Sequence, residues 1–128
     1  MDRIEQWIKR KLASAVVAGI GQWAESPGSA LGRPIYHVTD GPVTLVLSEL
    51  GFTYEGPTLR LECRYDEVEA IKLAPLVEIM RLRGDLSKML TIEVVQRGVL
   101  PPHVLQLPLR VYSQVATVLA RIVNELCE

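Results

Sequence analysis

Val111, Val115, Val118, Leu119, Ile122, Val123 and Leu126 fall on one half of a helical wheel, and Ser113, Gln114, Thr117, Arg121, Asn124 and Glu125 fall on the other. No other feature of the chain restricts its fold as much. An apolar face this broad must cover something flat and apolar, such as the open end of a curled sheet. Pro108, just upstream, lacks the N–H that a continuing strand would have to donate, so the run begins where a strand has to stop.

The preceding residues supply such a sheet. From Ile35 onward the apolar period is two. Val43, Leu45 and Leu47 alternate with Thr44, Val46 and Ser48, and a turn at Glu49-Leu50-Gly51 leads to Phe52-Thr53-Tyr54. A second turn, Glu55-Gly56-Pro57, precedes Leu59, Leu61 and Cys63, which alternate with Arg60, Glu62 and Arg64 as in a half-buried strand. Tyr65-Asp66-Glu67-Val68 then breaks the alternation with no turn residue. Leu90, Ile92 and Val94 repeat the pattern against Thr91 and Glu93, Gly98 and Pro101-Pro102 end it, and His103 to Leu107 forms one more strand. The connections are short, which predicts an antiparallel meander. Residues 73–88 admit two readings. Leu73, Leu76, Val77 and Met80 suit a helical turn, while Pro75 and Gly84 suit a strand followed by an irregular loop.

At the other end, Ile4, Ile8, Leu12, Ala15, Val16, Gly19 and Trp23 form one stripe at the helical period, predicting an amphipathic helix over residues 2–24. Trp7 sits about 120° from the centre of that stripe, on the side of Arg3 and Arg10. Ser26-Pro27-Gly28-Ser29 stops the helix, and Gly32 and Pro34 continue the loop. Lys9, Arg10 and Lys11 before LASAVVAGIGQWA imitate a signal peptide, but Asp2 and Glu5 intrude and the polar residues keep helical spacing, so the segment reads as part of the fold. It is far short of the ~20 apolar residues that span a bilayer. A chain of 128 residues is expected to be one domain burying about two-thirds of its unfolded surface. Its predicted parts are a helix over 1–25, a loop over 26–41, the meander over 42–107 and the capping helix over 108–128.

Charge and reactive residues exclude more than they assign. A net charge of −1 is the wrong balance for binding nucleic acid. Cys63 and Cys127 have neither metal spacing nor the density of a disulfide scaffold, which reads as two reduced thiols in the cytoplasm. Gly19-Ile20-Gly21-Gln22-Trp23-Ala24 fits the dinucleotide fingerprint, but that chemistry needs a strand before the glycines and a helix after them. Here they close a helix, so they read as small residues for close helix packing. His37 and His103 stand alone in or beside strands, as structural histidines do. Asp66, Glu67 and Glu69 read as a solvated acidic corner, and Arg81, Arg83 and Lys88 as an exposed basic loop. No catalytic, cofactor-binding or metal-ligating residue is assigned.

Helix, strand meander and long terminal amphipathic helix, in that order, resemble the pleckstrin-homology-like superfold, including its bacterial versions. The resemblance spans residues 42–126 and rests on VTLVLSELGFTYEG as a first hairpin, RLECRYDEVEAI as the next strand and corner, and LPLRVYSQVATVLARIVNEL as the capping helix. It implies an α+β fold: an antiparallel meander curled into a barrel, capped by the C-terminal helix and carrying an extra N-terminal one. It also implies that Tyr65 and Val68 pack inward at a sharp bend while Asp66 and Glu67 face water. The family's phosphoinositide ligand needs basic residues in the first hairpin loop, and Ser48-Glu49-Leu50-Gly51 has none, so the expected ligand is a protein.

The functional expectation is a non-enzymatic protein-interaction module with no cofactor. Arg3, Trp7, Arg10, Ile4, Ile8 and Leu12 are its contact residues, and the partner is another protein or a second copy of the chain. The competing reading lays the first helix on an anionic membrane surface with Lys9 and Lys11 flanking the stripe. A third is a small-ligand barrel or an enzyme of unknown reaction.

Overall fold

The first helix, α1 (Arg3–Val17), buries Ile8, Leu12 and Ala15 at the spacing its apolar stripe predicts. The computed structural model of the protein describes residues 3–24, 30–83, 85, 88–99 and 101–126. Ser26-Pro27-Gly28-Ser29, Gly84, Cys127 and the side chains of Leu76, Glu125 and Leu126 lie outside what is described. Contrary to the sequence expectation, α1 does not continue to residue 24. Gly19 adopts φ +83°, a conformation glycine takes without penalty. The Ile20 N–H then donates to Ala15 O (2.8 Å) and the Gly19 N–H to Val16 O (3.1 Å), the two bonds of a Schellman helix stop. Past it lies a short strand, β1 (Gln22–Trp23), so Trp23 belongs to a sheet and not to the helical stripe.

The glycines of the G-x-G-x-x-A run therefore serve neither a dinucleotide nor helix packing. Gly19 ends α1. Gly21 also has positive φ, and the ring of Tyr36 lies where its Cβ would be. That seat lets the Tyr36 Oη donate to Ile20 O at 2.6 Å while Trp23 meets the Tyr36 ring edge-on, with centroids 6.0 Å apart.

The strands that follow are β2 (Pro34–Asp40), β3 (Val43–Ser48), β4 (Gly51–Glu55) and β5 (Arg60–Arg64). With β1 they make one antiparallel sheet in the order β1-β2-β3-β4-β5. β2 lies within residues 26–41, expected to be loop; the period of two that starts at Ile35 is the truer signal, and Ile35, Tyr36 and Val38 are buried. A second antiparallel sheet, β6-β7-β8, contains β6 (Val68–Lys72), β7 (Met89–Gln96) and β8 (His103–Pro108).

A single 3-10 turn, Tyr65–Glu67, carries the chain from one sheet to the other. Tyr65 and Val68 are buried, while Asp66 and Glu67 are exposed, as expected of this step. The Tyr65 ring stacks on Phe52 (6.3 Å), its Oη donates to Ser48 O (2.8 Å), and its N–H donates to Leu50 O (3.0 Å). Arg64 grips both oxygens of Asp66 at 3.2 Å, and these hydrogen bonds hold the Asp66 carboxyl below its usual pKa. The turn thus separates an apolar anchor from a charged outer edge that discourages further strand pairing.

The expected barrel does not close: no backbone ladder joins the two sheets among the described residues. A tyrosine spans the gap instead. The Tyr54 Oη, from β4, donates to Gln106 O (2.8 Å) and accepts from Gln106 N–H (3.1 Å), satisfying the free edge of β8 as a neighbouring strand would. Tyr112 does the same for the connection after β6, accepting the Ala74 N–H at 3.0 Å. Each of the four tyrosines therefore ties its hydroxyl to backbone at a place where the regular ladders leave off.

Residues 73–88 contain a short helix, α2 (Leu76–Arg81), which turns Ile79 toward the core, as does Leu82 just after it, and leaves Val77 and Met80 exposed. The long capping helix, α3 (Leu109–Arg121), starts directly after Pro108 and buries Val111, Tyr112, Val115, Ala116, Val118, Leu119 and Ala120. Its last turn, Ile122–Leu126, loosens to π geometry, with Ile122 and Val123 still buried. One core cluster joins α1, both sheets and α3.

Candidate functional site

Reactive side chains are dispersed in this fold. Cys63 points into the core from β5, and burial, reinforced by the charges of Glu67 and Asp66, pushes its thiol up to about 11. His103 shares a 3.0 Å hydrogen bond with Gln96, and His37 lies half-buried in β2, paired in register with Gln22 and Val46. Asp66, Glu67 and Glu69 are exposed, and no His, Cys, Asp or Glu grouping among the described residues is placed to hold a metal. Arg81, Arg83 and Lys88 are exposed as well. The hairpin read as the first from sequence is preceded by another, β2–β3, whose turn at Gly41-Pro42 carries no basic residue either.

Two buried acids set an alkaline limit on stability. Cys63 is raised from 9.0 to about 11 and Tyr36 from 10.0 to about 12, both chiefly by burial. Above pH 9 the unfolded chain releases these protons before the folded one, so the unfolded state binds fewer protons and stability falls as pH rises. The loss should run from pH 9 to about 11 for the thiol, and from 10 to about 12 for the phenol. Urea midpoints at intervals from pH 8 upward should decline through this window. In a Cys127→Ser background, Cys63 should alkylate far more slowly in native protein than in urea, since a rise from 9.0 to about 11 alone lowers its thiolate fraction about a hundredfold at neutral pH. Equal rates would mean that Cys63 is not sealed in the core.

Among the described residues, cations lie over an aromatic ring at the seam between α1 and α3. Trp7 emerges from the flank of α1, partly buried, and its Nε1–H points to Val118 O of α3 at 3.4 Å, a weak bond. Three cations surround its ring: Arg121 of α3 at 4.7 Å from the centroid, Lys11 at 4.9 Å and Arg10 at 5.7 Å. Arg3, Gln6, Trp7 and Arg10 line a surface groove of about 280 Å³ beside it. The helical repeat produces this grouping. Residues 3, 10 and 11 each lie three or four positions from residue 7, so they share the flank of α1 next to the buried stripe.

The structure redistributes the residues expected to make contacts. Arg3 and Arg10 are exposed and line the groove with Trp7, as their shared flank suggests. Ile8 and Leu12 are fully buried in their own chain and are core residues, which removes them from any partner surface. Ile4 is partly buried against the same core. Lys9 pairs with Glu5 (3.4 Å), which also holds Arg33 through both carboxylate oxygens at 2.8 Å, tying α1 to the start of β2. Lys11 lies over Trp7. The stripe that Lys9 and Lys11 were expected to flank on a membrane is turned into the protein. No helix among the described residues is long and apolar enough to cross a membrane. Arg121 was absent from the sequence-derived set, because nothing in its own neighbourhood shows that α3 returns beside α1.

Comparison with protein-family models, with curated proteins and with solved structures found no match to the chain.

Proposed function

We propose that this chain is a non-enzymatic protein-interaction module of the pleckstrin-homology-like type that meets its partner on the α1–α3 face around Trp7. The fold assignment is supported by two antiparallel sheets joined through the Tyr65–Val68 corner and covered by a long C-terminal helix. The single observation that carries the interaction reading is the half-buried Trp7 with three cations within 5.7 Å of its ring. A tryptophan rimmed by arginines is the composition of an interface hot spot. The non-enzymatic reading is supported by the burial of Cys63 and by its placement on a different strand from each of the two histidines.

A photo-crosslinking amino acid placed at Gln6 in the groove tests this in cells producing the protein. A discrete adduct is expected from Gln6, competed by the unlabelled parent and lost when Trp7→Ala is added. The same label at Glu62, on the exposed side of β5, should give none. Indistinguishable adducts from both positions, or none from Gln6, would remove the α1–α3 face as the meeting surface.

A further inference from the structure

Resting on that reading, we infer that the Trp7 groove takes an acidic, unstructured peptide segment of another protein, with carboxylates seated against Arg3, Arg10 and Lys11. Charge is what singles out the occupant. The whole chain is almost neutral at −1, yet this face places Arg10 and Lys11 over one indole with Arg3 beside them in the groove. Several cations elsewhere are answered, Lys9 and Arg33 by Glu5, Arg60 by Glu55, Arg64 by Asp66 and Arg110 by Asp40, and those that are not, such as Arg81, Arg83 and Lys88, have no aromatic ring among them. Arg3, Arg10 and Lys11 enter none of the ion pairs among the described residues. Like charges held together on one ring repel, and the ring quadrupole offsets only part of that. Anionic oxygens brought into the groove would relieve the repulsion, and planar guanidinium groups match carboxylates in bidentate geometry.

The shape of the site favours a peptide over the other anionic surfaces. A bilayer would need an apolar face to enter it, and the apolar stripe of α1 is already in the core. A groove of about 280 Å³ admits one or two side chains, and Gln6 adds an amide donor and acceptor at its wall. A second copy of the chain is a poor occupant, because a twofold contact would set these same cations against one another.

Labelled octaglutamate, followed by fluorescence anisotropy with the full chain, is the probe. Saturable binding is expected, weakening at least tenfold as salt rises from about 50 to about 500 mM, because the contacts are exposed and ionic. Arg3→Glu combined with Arg10→Glu should weaken it at least tenfold with the melting temperature held within a few degrees, since both side chains are exposed. Arg60→Glu, which changes the same kind of charge on β5, should alter binding less than twofold. No binding, or equal loss in Arg60→Glu, would overturn the inference. So would cosedimentation with phosphatidylserine vesicles that octaglutamate does not compete, which would assign the cations to a membrane surface. If the Gln6 crosslink forms while octaglutamate fails to bind, the interaction face stands and its acidic partner falls.

Discussion

Leu119→Ala should destabilise the protein by about 2–5 kcal/mol and lower its melting temperature by roughly 10–20 °C. Leu119 is fully buried in the last turn of α3, where the helix lies over the core shared by both sheets and α1. Removing its terminal isopropyl group deletes apolar contacts and leaves a hole that close-packed neighbours fill only partly. For a domain whose whole stability is about 5–15 kcal/mol, that is a large fraction. Thr117→Ala on the exposed side of the same helix is the control and should shift the midpoint by about 0.5 kcal/mol or less. A Leu119→Ala protein that melts with the parent would mean that α3 does not cap the core.

An effect of similar size should come from adding a single methyl group. A Cβ on Gly51 would run into the carbonyl oxygen of Cys63 and stand 2.9 Å from Arg64 Cα and 2.8 Å from a Leu31 methyl. Gly51 and Arg64 are register partners between β4 and β5, so two of these obstacles are backbone of the adjoining strand. The side chain of Leu31 can give way; the strand cannot without disturbing the Tyr65 corner that follows it. Overpacking costs about 1–3 kcal/mol where side chains relax, and Gly51→Ala should reach or exceed the top of that range. Gly98→Ala makes the comparison informative. Its φ of +73° strains an alanine, but nothing lies within 4 Å of the new methyl, so it should cost about 1–2 kcal/mol. Urea melts that place Gly51→Ala at or above the stability of Gly98→Ala would show that the strands separate more easily than their packing implies.

How much of this could be read beforehand depended on distance along the chain. The strands were legible because alternation is local: Leu61 and Cys63 bury themselves between exposed Arg60 and Glu62 whatever lies elsewhere. The broad face of α3 was legible for the same reason. The corner at Tyr65–Val68 needed only four neighbouring residues. The split into two sheets was not legible, because the Tyr54–Gln106 bonds that replace a closing ladder link positions 52 apart. The early end of α1 was hidden by coincidence, since Gly19 and Trp23 happen to fit the helical stripe. The local signal that overrides it is glycine at a left-handed position followed by the apolar Ile20. At the candidate site, Trp7 with Arg3 and Arg10 followed from helical spacing, whereas Arg121 enters only through the packing of α1 on α3.

That packing also sets a timetable. Trp7 and the Val118 carbonyl that its indole faces are 111 residues apart, so the ribosome finishes α1 long before the helix it rests on exists. At about 5–20 residues per second the delay is roughly 6–22 s, against microseconds for a helix to form. Throughout that interval Ile8, Leu12 and Ala15 have no finished core to enter. A nascent-chain binder that recognises short apolar helices would find α1 on every molecule made, and would have to release it when α3 emerges.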